Sequence, residues 1–296
     1  MLHVLLPAFA RCGQDPALRP WLIRGDRLAD AERGHVAALT GLFQVPGNRL
    51  PVAALLREAS HGDAGEVPWL CADPAFIQPD MTGARMLACG TLGLSAAEAE
   101  ALARPLRPLL GDRGFLLETS RPDRWQLRLP MDVRLPRLSP PEAVLGDDLI
   151  AHLPEGADSA NWRALFNDVQ ILLHNHPVNI ERRSRGQAPV NGLWFWGGGP
   201  LPHRVTASVA CIYSRDALAQ ALARRAGIQT AEPIDFMPSP HDTVLLDLES
   251  EPDLSAWWPR LARALRHHKS MHLAFSSGER ILYHSRHRLR LWRKVT

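Results

Sequence analysis

The segment from Phe166 to Pro202 holds the densest group of residues that could bind a ligand. It contains His176, the pair Arg182 and Arg183, and then Asn191 ahead of a Trp-Phe-Trp run and three glycines. Guanidinium groups bind phosphate or carboxylate through two parallel hydrogen bonds, and successive glycine amides can form a concave anion site. The segment therefore favours a small phosphorylated or carboxylated ligand.

The predicted ligand-binding set combines arginines that neutralise an anion, polar side chains that orient it and tryptophans that form an apolar wall. It consists of His176, Asn179, Arg182, Arg183, Asn191, Trp194, Trp196, Gly197, Gly198 and Gly199. The simpler alternative is that the glycines only turn the chain and that the arginines are solvated loop residues. No catalytic residue is predicted.

Acidic residues near the C-terminus offer a candidate metal site. Asp247 and Glu249 lie on the same face of a predicted strand. Solvated acids are also common at a strand end that precedes a helix N-terminus. His174 and His176 are two residues apart, so on a continuing helix they point to different faces and cannot bind one ion together. The sequence therefore predicts no metal site and no cofactor.

Apolar runs of strand length alternate with helical patterns through most of the chain, which predicts an α/β fold. The predicted strands are 2–6, 69–73, 192–196, 208–212 and 243–248. Ser95 and Glu98 form a capping box, and the helix that follows is expected to end at Gly111. A second helix, 161–174, has an apolar stripe that Pro177 terminates.

Proline and aspartate are concentrated from Met131 to Gly156, which makes this segment the best linker candidate. Ahead of it, 115–118 and 124–129 are predicted to form two antiparallel strands. We therefore expect 66–135 to form a smaller α+β domain. The main α/β domain is expected to combine an N-terminal part, 1–65, with residues 136–296.

Bulk composition limits the classes of partner. A net charge of +3 over 296 residues does not favour nucleic acid. No apolar stretch approaches the length of a membrane span, and the four cysteines lack the spacing of a zinc site or a disulfide framework. We expect a cytoplasmic protein with reduced cysteines and no membrane association.

The tail from Arg280 to Lys294 alternates basic and apolar residues. This alternation predicts an edge strand with a solvated basic face. A nucleic-acid surface is the alternative for the same pattern.

Two stretches of the chain resemble known proteins. The sequence HPVNIERRSRGQAPVNGLWFWGGGPLP, residues 176–202, resembles a segment of archaeal-type cofactor-independent phosphoglycerate mutases in which an Asn-containing strand runs into Trp-Gly-Gln-Gly. The matching residues are Asn191, Trp196, Gly197 and Gly199, with Gly198 where that family usually has Gln. Residues 66–115 resemble another segment of the same family. Both stretches and DRWQLRLP, residues 123–130, also resemble RpfE-type regulatory proteins of proteobacteria, a likeness that covers most of 66–296.

This resemblance implies an alkaline-phosphatase-like mixed sheet flanked by helices. Active members of that superfamily use two divalent metals and a Ser or Thr nucleophile, with acids after the first strand and Asp and His pairs near the C-terminus. The chain departs from this pattern, because no acid follows its first strand until Asp15 and no Gly-Ser-Asp turn is present. The late Asp-His-Thr motif is also absent, and His284, Arg286 and His287 are among the basic residues found there instead.

These departures predict a non-catalytic regulatory relative, a pseudoenzyme, that keeps the fold and binds a small anionic metabolite. One alternative is a phosphotransferase or phosphoesterase of the same lineage with a rearranged site. Another is a protein-interaction module whose exposed tryptophans bind a protein partner. Metal content separates the first two hypotheses, and association with a partner would support the third.

Overall fold

The computed structural model describes residues 1–81, 83–156, 158–237, 242–290 and 292. The chain forms two compact units. We call Met1–Asn48 with His203–Thr296 the split unit, and Arg49–Pro202 the central unit. The predicted smaller domain, 66–135, and the predicted main domain, formed by 1–65 with 136–296, stay a prediction.

Strands and helices alternate along much of the chain. The strands are β1 Leu2–Leu6, β2 Asp26–Arg27, β3 Phe43–Gln44, β4 Trp69–Pro79, β5 Ala84–Cys89, β6 Leu116–Arg121, β7 Arg124–Arg128, β8 Gly192–Gly199, β9 Thr206–Ala207, β10 Cys211–Tyr213, β11 Gln229–Ala231, β12 Val244–Asp247, β13 Ser270–Phe275 and β14 Arg280–His284. The α-helices are α1 Phe9–Cys12, α2 Arg19–Arg24, α3 His35–Thr40, α4 Val52–His61, α5 Ala96–Ala103, α6 Leu106–Gly111, α7 Pro141–Val144, α8 Ser159–His174, α9 Pro177–Ser184, α10 Ala217–Ala226 and α11 Trp257–Ala264.

A seven-stranded mixed sheet is the framework of the split unit. Its spatial order is β11-β10-β12-β1-β13-β14-β2, and the first five strands run parallel to one another. Parallel strands are usually covered on both faces, which accounts for the nearly continuous apolar sequence of β1. Leu2, Val4 and Leu6 lie in one buried core with Leu246 and Trp257.

The central unit is built on β4, which pairs antiparallel with β5, β7 and β8, while β6 pairs with β7. Its core contains several aromatic side chains. Phe115 stacks on Trp162 with ring centroids 5.4 Å apart, and Trp162 meets Phe195 edge to face at 5.6 Å. The sheets of both units are flanked by helices, so the predicted α/β class is confirmed.

The capping box before α5 is confirmed. The Glu98 amide donates to Ser95 Oγ at 3.2 Å, and the Ser95 amide donates to Glu98 Oε2 at 2.9 Å. The predicted single helix is divided into α5 and α6 at Pro105, because proline has no amide hydrogen to continue the helical ladder. The second predicted helix is also present, and α8 ends before Pro177, where α9 begins.

The basic tail is not one long strand. Beyond His284 the chain forms a 3-10 helix, Ser285–Leu289, in which the His284 amide donates to His287 Nδ1 at 3.3 Å. The prediction of an edge strand is therefore wrong, because β14 lies between β13 and β2 in the sheet and the residues after His284 form the 3-10 helix. Leu291, Arg293 and Lys294, which were part of that prediction, lie outside the described residues.

Two further observations concern the class of protein. Within the described residues, no helix is both long enough and apolar enough to cross a membrane. The four cysteines are free thiols, and three of them are buried.

Candidate functional site

The carboxyl ends of the parallel strands form the first candidate site. In open α/β sheets, ligands bind beyond these ends. Strand β12 ends at Asp247, and the neighbouring β10 is followed directly by Ser214. Because the two strands are parallel, these polar residues meet at the same edge of the sheet.

Asp247 is buried, with 5% of its surface exposed, and both of its carboxylate oxygens have partners. Ser214 Oγ donates to Oδ2 at 2.6 Å, and His35 Nε2 lies 2.9 Å from the same oxygen. The Glu249 amide donates to Oδ1 at 3.2 Å. These contacts compensate the cost of removing a carboxylate from water.

His35 is the first residue of α3, and the local backbone brings it to the sheet edge. Gly34 precedes it with φ of 103°, a conformation that favours glycine, and its amide donates to Ser276 O at 2.9 Å. On the other side of the imidazole, Nδ1 lies 3.6 Å from Oδ1 of Asp216. Asp216 also caps α10 by accepting the amide of Ala219 at 2.8 Å.

The imidazole therefore lies between two carboxylates. Burial alone would lower the pKa of His35, but the hydrogen bond and charge of Asp247, together with the charges of Asp216 and Glu249, raise it to about 9. For Asp247 the signs are reversed. Burial alone would raise the pKa of this carboxyl group, but its hydrogen bonds to His35 and Ser214 bring the pKa below its ordinary value. At neutral pH the pair is an imidazolium and a carboxylate.

The same residues could hold one metal ion. Donor atoms of His35, Asp247 and Glu249 all lie within 4.8 Å of one another, and no other such group occurs in the part of the chain that the structure describes. A histidine ligand must be neutral, so a cation would have to displace the proton that His35 holds. The sequence singled out Asp247 and Glu249 but gave no sign of His35, Ser214 or Asp216.

Strand β1 lies beside β12, and its end contributes no acid. Pro7 and Ala8 follow it, and the Phe9 amide donates to Ser277 Oγ at 2.8 Å. The hairpin after the neighbouring β13 brings a carboxylate to this side of the edge, because Ser277 Oγ also donates to Glu279 Oε2 at 2.5 Å.

The predicted ligand-binding residues lie in the central unit, and the side chains of most of them form hydrogen bonds with other residues of the chain. Asn179 is fully buried, where its amide group donates to Leu173 O at 2.8 Å and to Val190 O at 2.7 Å. Its oxygen accepts the Val190 amide at 2.8 Å. The side chain thereby closes the turn between α9 and β8.

Arg182 is also buried, with 1% of its surface exposed. Its guanidinium donates to Leu92 O at 2.7 Å, to Ala188 O at 2.9 Å and to Glu98 Oε1 at 3.1 Å. The arginine therefore ties α9 to the capping box of α5. Arg183, its neighbour in sequence, is exposed.

The asparagine and tryptophans around β8 make structural contacts as well. Asn191 accepts the Ile77 amide at 2.8 Å and donates to Ile77 O at 2.6 Å. Trp194 donates to Ser139 O, and Trp196 donates to Asp73 Oδ2, each at 2.9 Å.

Asp73 is itself an unusual partner, because it is a carboxyl group in the core. Burial raises the pKa of Asp73 to about 6, although the charge of Arg124 and the bond from Trp196 act in the other direction. A carboxylate at this position loses its hydration. The hydrogen bond from the Trp196 indole offsets part of that free-energy cost.

The triple glycine permits close packing. A Cβ on Gly197 would lie 2.8 Å from Val52, and one on Gly198 would lie 2.8 Å from both Leu70 and Leu135. His176 caps α9 by accepting the Val178 amide at 3.3 Å. Ligand binding by the predicted set stays a prediction, but a ligand would have to displace existing contacts of most of its members.

The ion pair at the sheet edge predicts a specific pH dependence. Because the folded-state pKa of His35 is raised above its ordinary value of 6.5, the stabilisation is complete below about pH 6.5. It is lost as the pH rises through about 9. We expect urea unfolding at a series of pH values to show this loss. Between pH 6 and 10, the free energy of unfolding of the wild type should fall by on the order of 3 kcal/mol relative to that of His35→Gln.

His203→Gln, at an exposed histidine of the same unit, is the matched control and should keep the wild-type profile. Parallel curves for the wild type and His35→Gln would contradict the assignment of an imidazolium to His35.

Neighbouring arginines provide a second test. Arg182→Ala leaves Glu98 and two carbonyl groups without their donor, so unfolding free energy should fall by roughly 2 to 5 kcal/mol. Arg183→Ala removes an exposed side chain and should change it by less than about 0.5 kcal/mol. Chemical denaturation of both variants measures the difference, and equal losses would show that Arg182 does not have the structural role described.

No family model matches the chain. Curated relatives match short segments. One segment of 119 residues is 30% identical to the 2,3-bisphosphoglycerate-independent phosphoglycerate mutase of Methanosarcina acetivorans, covering 40% of this chain and 30% of that protein. Another of 63 residues is 36% identical to the probable 2,3-bisphosphoglycerate-independent phosphoglycerate mutase of Geobacter sulfurreducens, covering 21% of this chain and 16% of that protein.

A solved structure of a cofactor-independent phosphoglycerate mutase, from Thermoplasma acidophilum, aligns over 96% of this chain and 89% of that one. The identity is 15% and the TM-score 0.40, values at which the alignment supports neither a fold nor an activity. The chain spans less than a third of the two curated relatives just described. The sequence matches support a relation to the cofactor-independent phosphoglycerate mutases over that part of the chain.

Proposed function

We propose that this chain is a non-catalytic, regulatory relative of the cofactor-independent phosphoglycerate mutases, of the RpfE type, with an alkaline-phosphatase-like sheet in its split unit. The observation that supports the proposal is that the polar side chains at the carboxyl end of the sheet already bind one another. One carboxylate there, Asp247, is already bound by His35 and Ser214. An edge closed in this way favours a protein without phosphoryl-transfer activity.

Among the described residues, this edge of the sheet offers few of the groups that two-metal phosphoryl transfer requires. This reaction needs two cations about 3.5 to 4 Å apart, each with several carboxylate or imidazole ligands, and a nucleophile that faces the substrate. Among the described residues, a single group of three ligands is present. Ser214 is fully buried, and its Oγ donates to Asp247 while accepting the Asp216 amide at 3.0 Å.

A regulatory protein acts by binding something, and the proposal includes a small anionic metabolite. The predicted set around β8 is one location for it, with exposed Arg183 as its most accessible cation. A cytoplasmic location is part of the same proposal, in keeping with the four free thiols.

Protein partners are less favoured by the tryptophans than the sequence indicated. Eight of the nine are buried, and only Trp292, with 75% of its surface exposed, lies on the surface of the described chain. The interaction-module hypothesis therefore depends on other residues.

A second candidate is a phosphoesterase that uses one metal. It is favoured by the single group of His35, Asp247 and Glu249, whose donor atoms lie close enough to bind one cation. In that case the metal would polarise a phosphoryl oxygen and replace the proton on His35.

Metal content and turnover separate these proposals. The purified chain, after incubation with Mn²⁺ or Zn²⁺ and desalting, should retain far less than one metal per chain by elemental analysis. It should neither interconvert 2- and 3-phosphoglycerate nor hydrolyse p-nitrophenyl phosphate faster than its Asp247→Asn variant does.

One metal per chain, lost together with hydrolysis in Asp247→Asn, would replace the non-catalytic proposal with the single-metal phosphoesterase. About two metals and metal-dependent mutase turnover would show an active mutase and contradict both.

A further inference from the structure

The amino-terminal edge of the parallel sheet in the split unit contains a basic pocket. Its volume is about 680 Å³, and it lies where the end of α11 and the start of β13 approach the 3-10 helix after β14. The polar side chains that matter are Arg266, His267, His268, Lys269, Arg286 and Arg288. This pocket is at the opposite end of the strands from Asp247.

The charges in this pocket are unbalanced. Its lining includes three arginines and one lysine but no acidic residue. These four side chains are exposed, and none forms an ion pair or hydrogen bond with another described residue. Grouping like charges raises the electrostatic energy of the folded protein unless an anion is bound nearby.

The favourable interaction of basic residues with a helix C-terminus explains only part of this charge distribution. Basic residues are stabilised near a helix C-terminus, which accounts for Arg266 and His267 after α11. It does not account for Arg286 and Arg288, which come from a different element and line the same concave surface.

His268 is a second, independent observation. The side chain lines the pocket with 1% of its surface exposed, and neither Nδ1 nor Nε2 has a hydrogen-bond partner among the described residues. Buried polar atoms are nearly always paired, because leaving one unpaired costs roughly 1 to 3 kcal/mol. A polar group that enters the pocket could supply the partners that these two nitrogens lack.

We propose that this pocket binds a small molecule with two or more phosphate groups. Small-ligand pockets have volumes of about 300 to 1,000 Å³, and several guanidinium groups on one concave surface match a multiply charged phosphate chain. Trp21, Leu265 and Tyr283 provide an apolar wall for an organic part of the ligand.

Nucleic acid is the less favoured occupant, because it needs an extended basic surface and the chain has a net charge of only +3. The proposal is independent of the function assigned to the carboxyl edge, since it uses none of the same residues.

Calorimetric titration of the full chain tests this proposal. The probes are inorganic tripolyphosphate, pyrophosphate and orthophosphate at low ionic strength. We expect one molecule of tripolyphosphate to bind per chain, and to bind more tightly than orthophosphate. Arg286→Gln with Arg288→Gln should weaken tripolyphosphate binding by roughly tenfold or more for each arginine, because each loses a charge-assisted hydrogen bond.

Arg128→Gln with Arg204→Gln is the matched control, because both arginines are exposed and the change in charge is the same. This control should keep the wild-type affinity within about twofold. His268→Phe, which keeps a buried ring but no nitrogens, should weaken binding as well, and thermal melting checks that each variant is folded.

The proposal would be overturned if tripolyphosphate does not bind, if the pocket variants bind it as well as the wild type, or if the control loses as much affinity as the pocket variants. Tighter binding of a single-stranded oligonucleotide than of tripolyphosphate, lost in Arg286→Gln with Arg288→Gln, would assign the surface to nucleic acid instead.

Discussion

A carboxylate buried at the end of a central parallel strand is the constraint on which the split unit depends. Asp247 ends β12 between β10 and β1, where the surrounding strands are almost entirely apolar. A buried charge without compensation would cost several kcal/mol. The chain meets this requirement with a histidine 212 positions away in sequence, so the N-terminal and C-terminal parts of the split unit are joined by charge as well as by β1.

The same interaction limits the chemistry of this edge. His35 can hold a proton or bind a metal, but not both, and the two carboxylates beside it favour the proton. A cation would compete with an existing ion pair and with the Ser214 hydroxyl. This competition is the physical basis of our proposal that the chain does not transfer phosphoryl groups.

Local features were predictable from the sequence, because their causes lie within a few residues. The α/β class follows from apolar runs and helical stripes. The capping box at Ser95 needs only Glu98, three residues later. Gly227 ends α10 in a left-handed conformation, as a glycine after a helical stripe predicts. The 3-10 helix after β14 was missed, because the alternation of basic and apolar residues there has the period of a strand.

Long-range partners were not predictable in this way. Nothing near His35 in sequence indicates that it meets Asp247. Similarly, Arg182 and Arg183 are equivalent in a sequence motif, yet one is buried against Glu98 and the other is exposed. Which of two adjacent arginines is available to an anion depends on the orientation of α9, which tertiary packing decides.

The protonation state of His35 in solution is the most direct test of this account. Long-range ¹H–¹⁵N correlation spectra of the histidine side chains, assigned with His35→Gln, report whether each ring nitrogen carries a proton. At about pH 7.5 we predict an imidazolium with both nitrogens protonated, unchanged by an equimolar amount of Zn²⁺. A neutral ring, with one nitrogen that shifts on addition of Zn²⁺, would contradict the claim that an ion pair closes the sheet edge.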